Sequence, residues 1–165
     1  MRTRLFAAIF LFLTAVTSSV AIASDDVYDD DVRPDKEWAG CYKGARHPAV
    51  VFNYRDIATT TGSGKQLTTS QVKQTVAQAG KERNWLFSQT AGNSDAGTML
   101  ATLMVRGKHT IVLRVPYTKD KYSLLYADST NMNYAVCGKN AYIHPNYNAW
   151  VRTLQQNIQS ALSNL

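Results

Sequence analysis

Between Thr98 and Asp128 the chain alternates. Thr98–Arg106 (TMLATLMVR), His109–Tyr117 (HTIVLRVPY) and Lys121–Asp128 (KYSLLYAD) are apolar-rich runs separated by two short polar connections. In the second run Ile111, Leu113 and Val115 fall on one side, with Thr110 and Arg114 on the other. In the third, Tyr122, Leu124 and Tyr126 are in phase. A side-chain period of two signals a strand, and connections this short join antiparallel neighbours. The three runs therefore predict a meander. A sheet of this kind has one apolar face that needs a cover.

Two segments can supply the cover. Near the end of the chain Tyr147, Trp150, Val151, Leu154, Ile158, Ala161, Leu162 and Leu165 recur at spacings of three and four. That pattern is an amphipathic helix with Asn148, Arg152, Gln155, Gln156 and Gln159 facing outward. Pro145 suits its first position, where a missing N–H costs nothing. Upstream, Thr68 and Gln71 have capping-box spacing, and Leu67 and Val72 have hydrophobic-staple spacing. Val72, Val76 and Ala79 then share a face, so a second helix is expected over Thr69–Arg83. Ala49–Tyr54 reads as a first strand, Thr59–Gly64 as a loop and Trp85–Thr90 as the strand after the helix. The expected fold is α+β. It is an antiparallel sheet of four to five strands with two helices packed on one face, in strand–helix–meander–helix order.

The first 23 residues have the form of a secretory signal. Arg2 and Arg4 precede an apolar run from Leu5 to Val16, and Ala21-Ile22-Ala23 is a small-residue cleavage site. The run is short for a membrane span. The expected mature chain starts at Ser24, carries no transmembrane anchor and is periplasmic or secreted, in a bacterial envelope. Residues 24–37 (SDDVYDDDVRPDKE) read as an acidic flexible leader. Residues 38–165 read as a single domain, large enough to bury a core and expected as a monomer. Its two cysteines, Cys41 and Cys137, are expected to pair after export. The alternative is a reactive thiol in a Cys–His hydrolase.

Charge divides the chain. It carries +6 overall at neutral pH. From Trp38 onward there are fourteen basic residues and five acidic ones. A basic body suits an acidic partner, such as nucleic acid or an anionic surface polysaccharide. The plainer account is a solvated surface. The partner expected is an envelope protein or an anionic ligand, and no cofactor is expected.

Two further segments carry a resemblance. Tyr126–Tyr134 reads YADSTNMNY, and Ile143–Val151 reads IHPNYNAWV. With the helix that ends before Asn84-Trp85, they resemble a widespread family of small exported bacterial proteins and lipoproteins, mostly uncharacterised. That family's marks are Tyr-x-Asp-Ser-x-Asn-x-Asn-Tyr and Ile-His-x-x-Tyr-Asn-x-Trp-Val. The likeness spans roughly residues 48–162. It implies an exported location and an α+β fold, and it brings no catalytic residue. This chain departs in lacking a lipid-bearing cysteine and in having the Cys41 and Cys137 pair.

The candidate sites are few. Asp, Ser, Thr and Asn bond their own backbone, so Asp128–Tyr134 shapes a connection on composition alone. The functional alternative is a polar rim of Asn131, Asn133, His144, Tyr147 and Asn148 that binds a small ligand or peptide. Arg106 and Arg114, with Thr102 and Thr110, belong to the open sheet face, a second contact surface. His144 suits capping; as a general base it needs a nucleophile and an orienting acid. Ser129 and Asp128 lie upstream without a nucleophile-elbow pattern. His47, His109 and His144 lack metal-ligand spacing, so no metal site is expected. Gly62-Ser-Gly-Lys65 lacks the full phosphate-loop pattern. Trp85 and Trp150 read as buried. The function expected is a non-catalytic binding or accessory module of the envelope. The alternatives are a small hydrolase using His144 and a binder of anionic polymer.

Overall fold

The computed structural model describes residues 36–165. The signal segment, its cleavage site and the acidic stretch up to Asp35 lie outside the described residues. A short 3-10 turn at Lys36–Gly40 leads into β1 (Ala49–Val50), β2 (Tyr54–Ala58) and α1 (Thr69–Lys81). Then follow β3 (Trp85–Gly92), β4 (Ala96–Val105), β5 (His109–Thr118) and β6 (Lys121–Thr130). Last come β7 (Ala135–Cys137), β8 (Asn140–Ile143) and α2 (Asn146–Ser163). The fold is α+β, with two antiparallel sheets ordered β2-β6-β5-β4-β3 and β1-β8-β7.

The meander is the one the alternation predicts. Leu103 pairs with Ile111, Ala101 with Leu113 and Met99 with Val115, so all six share the inner face. These six side chains are buried. Leu100, Thr102, Met104, Val112 and Arg114 take the other face, where Met104 and Arg114 are exposed. The β4–β5 turn holds Arg106 at φ 52° and Gly107 at φ 64°, and Lys108 N donates to Val105 O at 3.1 Å. Two successive left-handed residues match the twist of the flanking strands. Register slips by a bulge between Tyr54 and Ile57 in β2, between Gln89 and Ala91 in β3, and at Ala127 in β6, where Val112 pairs with Asp128 but Leu113 with Tyr126.

The capping box closes α1. Thr68 Oγ1 accepts from Gln71 N at 3.2 Å, and Thr68 N donates to Gln71 Oε1 at 2.8 Å. The helix ends at Lys81, two residues before the expected Arg83, and Asn84 turns left-handed at φ 62° to launch β3. Gly80 lets α1 lie close to that strand, since a Cβ there would sit 2.2 Å from the Phe87 ring. One core joins Leu67, Val72, Val76 and Ala79 to the inner sheet positions and to Tyr147, Val151, Leu154, Ile158 and Leu162 of α2. Full burial of each large side chain contributes about 1.5–3 kcal/mol.

The structure revises the sequence reading in four places. Ala49–Tyr54 is two strands in different sheets, because its backbone partners diverge. Val51 N donates to Ala141 O of β8, Phe52 N to the Asn148 side chain, and Asn53 Oδ1 accepts from Tyr126 N of β6. The order also gains the β7–β8 hairpin, which with β1 forms a sheet the sequence did not announce. Trp150 is only partly buried against the core, while Tyr147 takes the fully buried place on that stripe. Asn148 points inward and is 4% exposed.

Cys41 and Cys137 are bonded, with Cα atoms 6.1 Å apart and a separation of 96 residues. Loop closure of this length constrains the unfolded chain by about 2–4 kcal/mol. The bridge lies in a second small core of Tyr42, Cys137 and Tyr142, packed by Trp38, Cys41 and Ala135. No helix among the described residues is long and apolar enough to cross a membrane.

Candidate functional site

The two motif segments meet where β6 ends and α2 begins. Asn131 and Asn133 both adopt left-handed backbone, at φ 58° and φ 51°. Asparagine tolerates this conformation better than most residues, so turn chemistry accounts for both. Asn131 also ties loops together. Its Nδ2 donates to Lys108 O at 2.7 Å, and its backbone oxygen lies 2.8 Å from His109 Nδ1. A carbonyl only accepts, so His109 Nδ1 carries the proton of that bond.

His144 is fixed three times by backbone. Its N–H donates to Met132 O at 2.8 Å, and its carbonyl accepts from Tyr147 N at 3.0 Å. Its Nδ1 accepts from Asn146 N at 3.2 Å. Pro145 makes no side-chain cap, so the imidazole of the preceding residue satisfies one of the orphan donors of α2. A ring accepting at Nδ1 carries its neutral-state proton on Nε2. Burial, the His109 ring and the Arg46 guanidinium all hold the His144 pKa below the ordinary imidazole value.

Around this histidine stand further rings. The His109 and His144 centroids are 5.7 Å apart. Trp150 lies nearly parallel to His144, with centroids 6.2 Å apart and planes 4° apart. Tyr126 stacks on Tyr134 at 4.4 Å and meets Tyr147 edge-on at 5.8 Å. Tyr126 Oη lies 2.9 Å from Ser129 Oγ. Burial raises the Tyr126 phenol pKa, and the Ser129 hydrogen bond opposes that rise. Burial also pushes the Tyr147 phenol upward, with Tyr126 and Tyr134 adding to it.

The expected site residues thus separate into groups. Asn131 and His144 come together through His109. Arg106 is exposed on the β4–β5 turn, and Asn133 is exposed on the β6–β7 connection. Arg114 stands apart on the outer sheet face, five residues along β5 from His109, about 17 Å at strand rise. Asn148 leaves the rim altogether. It accepts from Phe52 N at 3.1 Å and donates to Val50 O at 2.8 Å, so its amide clamps α2 to β1. Sequence reasoning missed His109 and Trp150 as rim members. Only the β4–β5 register pointed to His109, which the hairpin brings to the end of the sheet where β6 finishes.

The groups a hydrolase would need are engaged in other bonds here. Ser129 Oγ is engaged by Tyr126, and Asp128 Oδ1 accepts from Ser129 N at 2.7 Å. The Nδ1 edge of His144, where a triad acid would orient it, faces a backbone amide instead. His47 packs edge-on against Trp38 at 5.5 Å. Among the described residues, no group of three or more His, Cys, Asp or Glu side chains is placed to share a metal. A surface cleft of about 370 Å³ lies at the other end of the sheet, between Asp56, Gly97, Tyr117, Lys121 and Ser123. None of the expected site residues lines it. No protein-family model, curated protein or solved structure matches this chain.

Proposed function

We propose that this is an exported envelope protein that acts by binding, through the rim formed by His109, Asn131, His144 and Trp150. The carrying observation is the His109–His144–Trp150 row of rings. Backbone bonds fix both imidazoles at Nδ1 and leave the Nε2 edges for a ligand. Rigid rings presenting a polar edge make contact area at low entropic cost. The disulfide suits an oxidising compartment, and the resemblance to small exported bacterial proteins points the same way.

The test compares capture from an envelope extract by the protein and by its Trp150→Ala variant, with Lys121→Ala as a control at the far end of β6. A ligand lost from the Trp150 variant at unchanged melting temperature supports the rim. Equal capture by all three moves the contact surface elsewhere.

A further inference from the structure

We propose that the cleft at the far end of the five-stranded sheet binds a single-chain amphiphile, a hydrocarbon chain carrying an uncharged polyol head. The site is separate from the rim and lies where the β3–β4 and β5–β6 turns close the sheet.

Register builds the cleft. Ala91 pairs with Thr98 and Thr98 with Pro116, and Ser123 follows on β6 beside the Tyr117–Tyr122 pair. This row lies on the outer face, since Thr98 and Pro116 alternate with the buried Met99 and Val115. Nearer the turns, Ala96 pairs with Thr118. None of these side chains is larger than threonine or proline. The next row toward the middle of the sheet carries the bulkier Leu100, Arg114 and Leu125. The step from small to large side chains leaves a volume of about 370 Å³. Asp56 of β2 closes the row, so the trough crosses all five strands, about 19 Å at ordinary strand spacing.

The two ends differ in chemistry. Toward β3 the trough is lined by Ala91, Gly92, Ala96 and Gly97. Toward β2 it is lined by Ser123, Lys121 and Asp56. Lys121 Nζ lies 2.7 Å from Asp56 Oδ1, so the charges at that end cancel. Ser123 is 8% exposed, and its Oγ accepts from Asp56 N at 2.9 Å. A hydroxyl also has a proton to donate, and among the described residues no acceptor meets this one. A buried donor left unspent is costly, and a ligand oxygen seated there removes the cost.

These features select the occupant. A peptide laid across the strands would press its own N–H and C=O groups against a sheet whose backbone bonds are already spent on pairing. A hydrocarbon chain has no such groups, and apolar contact along the trough is all it needs. A charged head finds an ion pair that is already closed. A polyol or ester oxygen accepts from Ser123 and brings no net charge. One acyl chain spans half of a bilayer core, about 15 Å, which the trough accommodates.

Glycerides and alkyl glycosides share this chemistry. Monodecanoylglycerol and decyl glucoside are titrated separately into the purified protein below their micelle concentrations, with glycerol and glucose as controls, and amide NMR signals are followed. Saturable shifts at Ala91, Gly92, Ala96 and Gly97 are expected with at least one amphiphile and with neither control, and the tighter arm names the source. Each added methylene should tighten binding about twofold, as half-burial of that group gives. Ala96→Phe and Ala91→Leu fill the trough and should each weaken binding about tenfold. Both positions are exposed, so either variant tests the site where the other disturbs the hairpin. Ser123→Ala should weaken binding about fivefold. No shift with either amphiphile, equal binding by both filled variants, shifts with glycerol or glucose alone, or shifts no larger than those at the exposed Leu86 and Met104 overturn the proposal.

Discussion

Asn148 and Phe52 are bound across 96 positions of sequence: the Phe52 amide donates to the Asn148 side-chain oxygen at 3.1 Å. The same side chain donates back to Val50 O at 2.8 Å, so one buried amide satisfies both polarities of the chain leaving β1. Asn148→Ala removes both partners. Each group stripped of its bond costs about 1–3 kcal/mol. The variant should lose about 2–3 kcal/mol in urea denaturation. A loss below about 0.5 kcal/mol would show that water replaces the clamp.

The Cys41–Cys137 bridge predicts a redox-dependent melting curve. Replacing both cysteines by serine should lower stability by about 2–4 kcal/mol. Reductant should destabilise the natural protein similarly and leave the double variant unmoved. A shift of both by the same amount assigns the reductant effect to something other than the bridge.

Thr68→Ala should cost about 1 kcal/mol by opening the cap of α1. Gln71→Ala removes the reciprocal bond of the same box. The two losses should fall short of additivity in a double-mutant cycle, because each breaks one linked pair. Strict additivity would mean that the two bonds act independently.

His144 predicts a loss of stability on the acid side. Its folded pKa lies below the ordinary imidazole value, through burial first, then His109 and Arg46. The unfolded chain therefore binds the proton more readily. The contribution is whole above the unfolded value of about 6.5 and is lost as pH falls through the folded one. Urea midpoints taken at about pH 8 and about pH 5 should differ less in His144→Gln than in the natural protein. Equal differences would remove His144 from the acid response.

The legible parts of the fold were those encoded by neighbours in sequence. The capping box of Thr68 and Gln71, the alternation in β4 and β5, and the apolar stripe of α2 each lie within one element; the first two are found as expected, and the stripe holds except at Trp150, which is partly buried, and Leu165, which is exposed beyond the helix end. The paired cysteines were also legible, because the sequence holds two of them and one bridge uses both. The sheet of β1, β8 and β7 was not, since strands of two to four residues are too short to display a period. Asn148 was misplaced for a related reason. It follows Tyr147 on the polar series of the helix, and only the distant β1 segment turns it inward. At the rim, Asn131 and Asn133 were readable as turn formers. The meeting of His109 with His144 depends on the β7–β8 hairpin that carries the chain from β6 to α2, whose strands are too short to leave a trace in local spacing.

Both outermost strands of the five-stranded sheet, β2 and β3, are bulged, at Tyr54/Ile57 and at Gln89/Ala91. A bulge bends and over-twists its strand, spoiling the straight ladder that a neighbouring molecule would need to extend the sheet. Crowded molecules therefore meet no unbroken template along either edge of this five-stranded sheet, although Leu86 and Met104 leave apolar surface in view on its outer face.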